Sequence, residues 1–531
     1  MQSYRLTVDK FLDHAATWSG GSGIVQSLPG GRRQRASYAE IRECANRMSG
    51  ALASLGLESG QRIGTLGWNT RHHFEIYYAT MGMGLVCHTL NPRLTAAQLA
   101  AMVTEAEDAL LAVAPDLVPL ALELARACPS VRHIIVMDEP VHFSAQPTGV
   151  SVWDYAELLA TKGAPYGWGN FAEETPAGLC YTSGTTGDPR GVLYTHRSNY
   201  LHTQRALQAD AFAITARDTL LLAVPMFHAN GWGLPFSVPA AGARLVLPGR
   251  ELDGGSLVRL MREEAVTVAV GVPTVWLGMM DRLDQEGGDL PALERVVVGG
   301  STCPDALIAR VEDRLGAQVQ TSWGMTELSP MGTIAPPGER GAAHSGRPPL
   351  GLEIRLTDSD GVALPDQRAS IGHLRVRGPS VIDRYFNAEE EALDAEGFFD
   401  TGDLAMLDGE GNLVICGRTK DLIKSGGEWI NPVEIEAIAG ADPSICAAAV
   451  IARPDEKWGE RPLLVVQPRL GHTIEPLRLL DTLRGKVADW WIPTEVAEVS
   501  EMPLAATGKI DKNRLRAQFE AGALEAKRVA I

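Results

Sequence analysis

A short hydroxyl- and glycine-rich segment at residues 181–191, YTSGTTGDPRG, carries the side chains best suited to binding phosphate. Glycine lets the backbone turn tightly, so that successive N–H groups point into one concavity, and hydroxyl groups add further donors. The segment is not a Walker A loop, because no Gly-Lys-Ser/Thr triplet follows at the required spacing. Taken alone, it is also compatible with a surface turn. The expected polyphosphate ligands are Thr182, Ser183, Gly184, Thr185, Thr186, Gly187 and Arg190.

Further short motifs follow in order along the chain: GVPTV at 271–275, GGSTCP at 299–304, WGMTE at 323–327, TGD at 401–403, GRTKDLIKSGGEWI at 417–430 and ATGKID at 506–511. Together they resemble the ordered motifs of the adenylate-forming superfamily, which includes acyl-CoA synthetases, aryl-CoA ligases, luciferases and the adenylation domains of peptide synthetases. The chain looks most like bacterial fatty acyl-CoA and methylmercaptopropionate-CoA ligases. The resemblance implies an AMP-forming acyl-CoA ligase that uses ATP, Mg²⁺ and CoA.

The bulk composition describes a globular protein with more than one core. At 531 residues the chain is long enough for roughly three or four units, and 45% of its residues are hydrophobic. The net charge of −17 argues against nucleic acid as a partner. Seven cysteines without CxxC pairs favour reduced thiols in a cytoplasmic protein. We find no signal peptide and no apolar run long enough to span a membrane, and the resemblance implies a homodimer.

Short apolar runs alternate with helical patterns, which predicts layered α/β architecture with largely parallel sheets. Ser37 and Glu40 form a capping box ahead of a helix, and strands are expected at 62–66, 86–90, 244–247, 266–270 and 295–298. A helix is expected at 74–83, and a hairpin with its turn at 409–411. Asn431, Pro432 and Glu434 mark another helix start. The resemblance implies a large N-terminal domain with a β-rich portion, residues 1–416, a hinge at 417–421, and a small mobile α+β domain, residues 422–531.

The resemblance also assigns roles around the nucleotide. Thr326 and Glu327 correspond to the α-phosphate ligand and the magnesium carboxylate, and a hard oxygen ligand is what Mg²⁺ prefers. Lys509 corresponds to the catalytic lysine, whose ammonium would stabilise charge that develops only in the transition state. Trp323 is expected to stack on adenine, and Asp403 with Arg418 to bind the ribose hydroxyls. Gly300, Ser301 and Gly324 complete the expected nucleotide site.

The acyl and CoA sites are expected on other segments. His228 is placed near the substrate carboxylate, and Trp232 resembles a gate tryptophan in fatty acyl-CoA synthetases. The expected acyl pocket comprises Trp232, Val270, Gly271, Pro273 and Met331. An apolar wall of this kind favours aliphatic or alicyclic acids over amino acids, whose ammonium would need a buried acid. Gly426, Gly427, Glu428 and Trp429 are expected to serve thioester formation with CoA, and Lys420 falls at the hinge position.

One residue departs from the family pattern, because Arg190 stands where many members have lysine. Arginine keeps the charge but presents a planar fork instead of a compact point. This departure leaves open whether the enzyme adenylates its acid or uses a preformed acyl-adenylate. The sequence leaves two further alternatives to fatty acid activation: specialisation for a methylthio-acid or bulky natural-product acid, and loading of a carrier protein instead of CoA.

Overall fold

The structure, a computed structural model, describes residues 1–141, 149–182, 189–340, 344–368, 370–426, 428–505 and 509–529. Helices occupy both sides of the sheets and most start at a side-chain cap. Their bounds are Asp9–Trp18, Tyr38–Ser54, Arg71–Gly82, Ala96–Ala106, Val118–Ala127, Tyr155–Lys162, His196–Ala206, Leu234–Ala240, Gly254–Glu263, Pro273–Glu286, Asp305–Leu315, Pro432–Gly440, Pro476–Asp481 and Lys512–Glu520. Single 3₁₀ turns lie at Pro29–Gly31, Pro115–Leu117, Thr326–Leu328, Thr419–Asp421 and Asp489–Trp491.

Two parallel sheets form the bulk of the N-terminal part. Within the described ranges, the first contains seven strands in the spatial order Ser151–Asp154, His133–Val136, Leu110–Val113, Arg62–Leu66, Val86–Thr89, Pro176–Tyr181 and Gly191–Thr195. Only its last strand runs antiparallel to its neighbour. The second contains eight in the order Met331–Ile334, Gln318–Gly324, Arg295–Val298, Val268–Gly271, Thr219–Leu222, Arg244–Leu247, Gly23–Ser27 and Arg33–Ser37. Its two edge strands are antiparallel.

Two smaller sheets complete the described chain. An antiparallel sheet comprises Glu353–Thr357, Ile371–Arg377, Phe399–Leu407 and Leu413–Arg418. The C-terminal sheet runs Glu428–Ile430, Ile423–Ser425, Gly459–Pro468, Glu495–Glu498 and Ala526–Arg528, and Ile445–Asp455 also pairs with Gly459–Pro468. Its own apolar core is built around residues such as Ile435, Leu464 and Leu483. This separate core agrees with the predicted small α+β unit.

The predicted α/β class is confirmed, and several local predictions match the structure. Ser37 and Glu40 form the capping box of Tyr38–Ser54, and the Asn431 side chain accepts a hydrogen bond from the N–H of Val433 at the start of Pro432–Gly440. The predicted helix at 74–83 begins three residues earlier, at Arg71, because the Thr70 hydroxyl caps it. The strand predicted at 266–270 is Val268–Gly271, and the one predicted at 86–90 ends at Thr89.

The link between the N- and C-terminal parts differs slightly from the expected hinge. The strand Leu413–Arg418 belongs to the antiparallel sheet, so the predicted hinge at 417–421 includes the last two residues of this strand. The 3₁₀ turn Thr419–Asp421 makes the connection. Asp421 is bonded to Arg516 of the C-terminal part at 2.7 Å. The division into 1–416 and 422–531, and the mobility of the smaller unit, stay predictions.

Two further sequence-based expectations concern the whole chain. All seven cysteines are free and four of them are buried, as expected for a protein without a disulfide framework. Among the described helices none combines the length and the hydropathy that crossing a lipid bilayer requires.

Candidate active site

A cavity of about 950 Å³ opens where the ends of the parallel sheets meet the antiparallel sheet and the C-terminal part. Many of the residues singled out from the sequence line it, although they come from segments far apart in the chain. They are Thr182, Arg190, His228, Trp232, Gly300, Trp323, Gly324, Thr326, Glu327, Met331, Arg418, Lys420 and Lys509. The folded chain therefore brings the predicted nucleotide, acyl and catalytic residues to one place.

Asp403 is bonded to two residues that line the cavity, Trp323 and Arg418, although it is not itself among the lining residues. Its side chain is 2% exposed, and its carboxylate accepts hydrogen bonds from the indole N–H of Trp323 at 2.8 Å and from Nε of Arg418 at 3.0 Å. Asp403 and Arg418 lie opposite each other in adjacent antiparallel strands. Burial raises the pKa of Asp403, and the Arg418 charge opposes that rise. Because each carboxylate oxygen has further lone-pair capacity, Asp403 can also accept hydrogen bonds from a vicinal diol.

Glu327 lies in a short helical turn deeper in the cavity. The Tyr385 hydroxyl donates to its Oε1 at 2.9 Å, and the Arg190 guanidinium stacks 3.9 Å above the centroid of the Tyr385 ring. The Tyr194 hydroxyl donates to the carbonyl of Thr326 at 2.7 Å and fixes the same turn. The Thr182 and Arg190 backbones are hydrogen-bonded to each other at 2.9 Å. Arg190 therefore packs on the tyrosine that orients the Glu327 carboxylate.

Lys509 reaches the cavity from the C-terminal part. A Cβ atom placed on Gly300 would lie 3.8 Å from its Cε, which puts the lysine side chain against the glycine turn that follows Arg295–Val298. Burial and the nearby Arg418 charge lower the pKa of Lys509 to about 8, while Asp403 and Glu327 act in the opposite direction. An ammonium at this position faces both carboxylates and the open volume between them. It is placed to stabilise negative charge that develops there.

The segment that carries His228 and Trp232 has an unusual backbone. Five successive residues, from Ala229 to Gly233, have positive φ angles between 44° and 73°. This is a left-handed turn, which costs roughly 1–2 kcal/mol for each residue with a Cβ atom. Trp232 is 9% exposed, and its indole lies over Gly299 and Gly300, where a Cβ atom would approach the ring to 3.0 Å and 3.5 Å. Burial and the Lys509 charge lower the pKa of His228 to about 4, so its imidazole is neutral.

Comparison with known proteins identifies the family. The model of the AMP-binding enzyme family matches residues 8–386, and the model of the AMP-binding enzyme C-terminal domain matches residues 434–509. The chain belongs to the AMP-binding enzyme family. It is 41% identical to a 3-methylmercaptopropionyl-CoA ligase of Ruegeria lacuscaerulensis, with 98% of both chains covered. It is 40% identical to a medium-chain-fatty-acid–CoA ligase of Ectopseudomonas oleovorans over 98% of this chain and 97% of that one.

The fold of this AMP-binding enzyme also matches a solved structure. An anthranilate CoA ligase, AuaEII, crystallised with anthranoyl-AMP, superimposes with a TM-score of 0.89 at 23% identity, over 98% of this chain and 99% of that one. The similarity confirms the predicted fold. Family membership and the ligase relatives confirm the sequence-based prediction of an AMP-forming acyl-CoA ligase.

Some predicted site residues of this AMP-binding enzyme lie elsewhere. Val270 and Gly271 end a core strand, Gly271 lies against the Trp276 ring, and Pro273 begins the next helix. None of these three lines the cavity, and the strand Val268–Gly271 is buried throughout. Their assignment to the acyl wall stays a prediction. Ser301 is exposed and also lies outside the cavity lining, although the preceding Gly300 contributes to it.

The expected CoA segment lies away from the cavity in this arrangement. Gly426, Glu428 and Trp429 do not line the cavity, and Trp429 is 52% exposed. Ser183, Gly184, Thr185, Thr186 and Gly187 of the expected phosphate loop, and Gly427 of the CoA segment, lie outside the described residues. Their roles stay predictions.

The structure adds residues that sequence reasoning missed. Tyr385 and Tyr194 fix Glu327 and Thr326, Phe212 contributes to the cavity wall, and Gly332 leaves room for the Trp323 ring, to which a Cβ atom would approach within 2.4 Å. Tyr385 stands 58 residues beyond Glu327 and carries no local motif that links the two. A pairing of this kind becomes visible only when the tertiary structure brings the strands together.

The lowered pKa of Lys509 predicts a pH dependence. Lys509 is charged below about pH 8 and loses its charge as the pH rises through that value. We therefore expect kcat/KM for adenylation to fall about tenfold per pH unit above this point. In Lys509→Arg we expect kcat/KM to stay constant up to about pH 10, because the guanidinium remains protonated. Pyrophosphate release measured between pH 6 and 10 tests this prediction. The same decrease above about pH 8 in Lys509→Arg would show that Lys509 is not the group whose titration lowers kcat/KM.

Proposed function

We propose that this enzyme activates an unbranched apolar carboxylic acid of short to medium length, aliphatic or thioether, with ATP and Mg²⁺, and passes the acyl group to CoA. The observation that carries the proposal is the apolar wall next to Lys509. That wall consists of Phe212, Ala229, Trp232, Pro330 and Met331. A thioether sulfur is nearly as apolar as a methylene group, so both kinds of acid suit such a wall.

The distribution of charge favours an uncharged acyl chain. Among the described lining residues the acidic side chains are Glu327, Asp358 and Asp400. Asp400 lies in the antiparallel sheet, and Asp358 directly follows its strand Glu353–Thr357. An amino acid substrate would bury its ammonium against the apolar wall without a carboxylate partner, which is costly. The cavity of about 950 Å³ must hold a nucleotide as well as the acid. That volume favours an acid of modest length.

The described residues divide the first half-reaction between them. Asp403 and Arg418 hold the ribose end, and Lys509 reaches the place where the acid carboxylate meets the α-phosphate. Since the carboxylate and the phosphate are both anionic, an ammonium between them lowers their repulsion and stabilises the charge of the transition state. The neutral His228 imidazole and the Trp232 indole close the acyl side against water. Pyrophosphate leaves as the acyl-adenylate forms.

The residues present suit a magnesium ion that arrives with ATP. Glu327 is 6% exposed and faces the cavity with a carboxylate that Tyr385 orients. Among the described residues there is no cluster of three or more acidic, histidine or cysteine side chains that could form a metal cage. Mg²⁺ typically takes one or two protein carboxylates and completes its octahedron with phosphate oxygens and water. Glu327 would hold the ion, which neutralises phosphate charge when bound.

The second half-reaction requires a different arrangement of the C-terminal part. Lys509 occupies the cavity while Glu428 and Trp429 stand in solvent. We propose that rotation about Thr419–Asp421 withdraws Lys509 and brings the 426–429 segment to the acyl-adenylate. Asp421, held by Arg516, would move with the C-terminal part, and Arg418, in the antiparallel sheet, would stay with the N-terminal part.

The test is a substrate panel in which pyrophosphate release and thioester formation are measured separately. Fatty, methylthio, aryl and polycyclic acids are each supplied with ATP, Mg²⁺ and CoA. We expect both products with C4–C10 fatty acids or methylthio-acids and little of either with aryl and polycyclic acids. Activity confined to the polycyclic acids would overturn the proposal. Thioester from synthetic acyl-adenylates alone would show that adenylation is lost, and acyl transfer only to a carrier protein would exclude CoA as the acceptor.

Trp232 should govern which acids are accepted. In Trp232→Ala we expect the preference among acids to move toward longer or bulkier chains by about tenfold to a hundredfold, because loss of the indole makes room for further methylene groups, each of which is worth roughly tenfold or more. KM for ATP should stay within about threefold of the parent value. The control is Trp490→Ala, which removes an exposed indole of the C-terminal part. Equal changes in KM for the acid and KM for ATP would contradict the proposal that Trp232 governs which acids are accepted.

A further inference from the structure

The loop that carries His228 and Trp232 is held by a residue outside the cavity. Asn69 lies between the strand Arg62–Leu66 and the helix Arg71–Gly82, in the other parallel sheet layer. It is 3% exposed. Its side-chain amide donates to the carbonyls of Leu222 and Val224 at 2.9 Å and 2.8 Å. Its side-chain carbonyl accepts from the N–H of Met226 at 2.7 Å.

These three bonds fix alternate residues of one segment. Leu222 ends the strand Thr219–Leu222. The N–H of Ala223 still donates to the carbonyl of Val270 in the adjacent strand at 2.9 Å, and beyond Ala223 the segment leaves the sheet. The Asn69 amide supplies hydrogen-bond partners to the carbonyls of Leu222 and Val224 and to the N–H of Met226. A buried backbone polar group without such a partner would be costly. The Tyr77 hydroxyl donates to the Met226 carbonyl from the same neighbouring layer. Asn69 and Tyr77 together hold both polar backbone groups of Met226.

The segment fixed by Asn69 runs directly into the acyl side of the cavity. The N–H of His228 donates to the Pro225 carbonyl at 3.0 Å, and the N–H of Gly231 donates to the His228 carbonyl at 3.0 Å. The left-handed turn from Ala229 to Gly233 follows at once. A strained backbone of this kind persists only where its surroundings determine it fully. A shift at Met226 would therefore be transmitted to His228 and Trp232.

We infer that Asn69 is a positioning residue for the acyl site: by clamping residues 222–226 it sets where His228 and Trp232 stand. Asn69 is not among the residues that line the cavity, and it acts through the backbone it holds. The inference rests on the proposed assignment of this loop to the acyl chain. It implies that acid selectivity depends on a contact between the two parallel sheet layers as well as on the side chains that line the cavity.

The experiment compares Asn69→Leu with a matched control. Asn46→Leu removes another buried asparagine clamp, which donates to the Tyr166 carbonyl at 2.7 Å and accepts from the Tyr166 N–H at 3.1 Å. We measure Tm, KM for acid and ATP, and the order of preference across a fatty acid series. Displacement of a substrate-positioning group by about 1 Å costs on the order of a hundredfold. We expect acid KM to rise at least tenfold in Asn69→Leu and ATP KM to change less than threefold.

The control and the alternatives decide the outcome. Asn46→Leu should lower Tm without moving either KM or the order of preference. If Asn69→Leu lowers Tm but leaves acid KM and preference unchanged while Trp232→Ala changes the preference, the positioning role is overturned. If neither variant alters the preference, the acyl assignment of the loop is wrong and the inference falls with it. If Asn69→Leu does not fold, the same measurements are made on Tyr77→Phe. We expect acid KM to rise threefold to tenfold in Tyr77→Phe, and an unchanged acid KM would overturn the inference.

Discussion

Replacing Lys509 with alanine is expected to slow acyl-adenylate formation by about a hundredfold to a thousandfold, the typical cost of losing one group that stabilises developing charge. The cationic end of this side chain is delivered to the cavity by the C-terminal part, beside Gly300 and facing Asp403 and Glu327. Formation of thioester from a supplied acyl-adenylate should change by less than about threefold, because that step needs a different arrangement. Pyrophosphate release and thioester formation, followed in separate single-turnover assays, measure the two effects.

A matched control separates this effect from a general loss of charge. Lys486 is an exposed lysine of the same C-terminal part and lies outside the cavity lining. Lys486→Ala should leave both half-reactions near their parent rates. A Lys509→Ala enzyme that still formed adenylate at the parent rate would show that Lys509 has no role in the chemistry. Equal losses in both half-reactions would instead indicate that the substitution disturbs the cavity itself.

The second large effect is expected at Asp403. Asp403→Asn keeps the size of the side chain but removes the negative charge to which Arg418 and the Trp323 indole donate hydrogen bonds. Hydrogen bonds to a charged group contribute roughly 1.5–3 kcal/mol each. Loss of one such bond to a ribose hydroxyl should raise KM for ATP about tenfold to a hundredfold. The acid KM should change little, because the acyl wall lies elsewhere in the cavity.

Asp400→Asn supplies the comparison for Asp403→Asn. Asp400 lies in the same strand as Asp403 and lines the cavity, but it is exposed and interacts with Arg375 at 3.5 Å. We expect its substitution to change KM for ATP by less than about threefold. Titration of each variant with ATP, and with 2′,3′-dideoxy-ATP for the parent enzyme, measures the contribution of the ribose hydroxyls. A parent enzyme that does not distinguish the two nucleotides would remove Asp403 from the ribose site.

The parts of the fold that depend on local sequence were predictable. The Ser37–Glu40 capping box and the Asn431 N-cap act within one helical turn, so their signals are contained in a few adjacent residues. Motif order was sufficient to predict the family and to bring Lys509, Glu327 and Trp323 to one cavity. These residues lie in glycine-rich turns and at strand ends, where α/β proteins commonly bind ligands.

The parts that depend on packing between distant segments were not predictable. Gly271 and Pro273 were assigned to the acyl wall because they belong to the motif GVPTV, and Val270 because it directly precedes that motif. The structure places Val270 and Gly271 in a buried strand and Pro273 at the start of the next helix. Tyr385 and Asn69 act on residues 58 and more than 150 positions away, and neither stands in a recognisable motif. Contacts between residues so far apart in the chain cannot be predicted from sequence spacing alone. They arise where two sheets and a loop are packed against one another.

The left-handed turn at 229–233 restricts how this enzyme can be altered. Saturation mutagenesis aimed at new acids would naturally include Ala229, Gly231 and Gly233, but a β-branched side chain at any of them meets positive φ angles that it rarely adopts. Such libraries would be depleted of folded members at those positions. Phe212 and Met331 line the same cavity, and neither residue has a positive φ angle. Libraries built there should retain expression while changing the acid that is accepted.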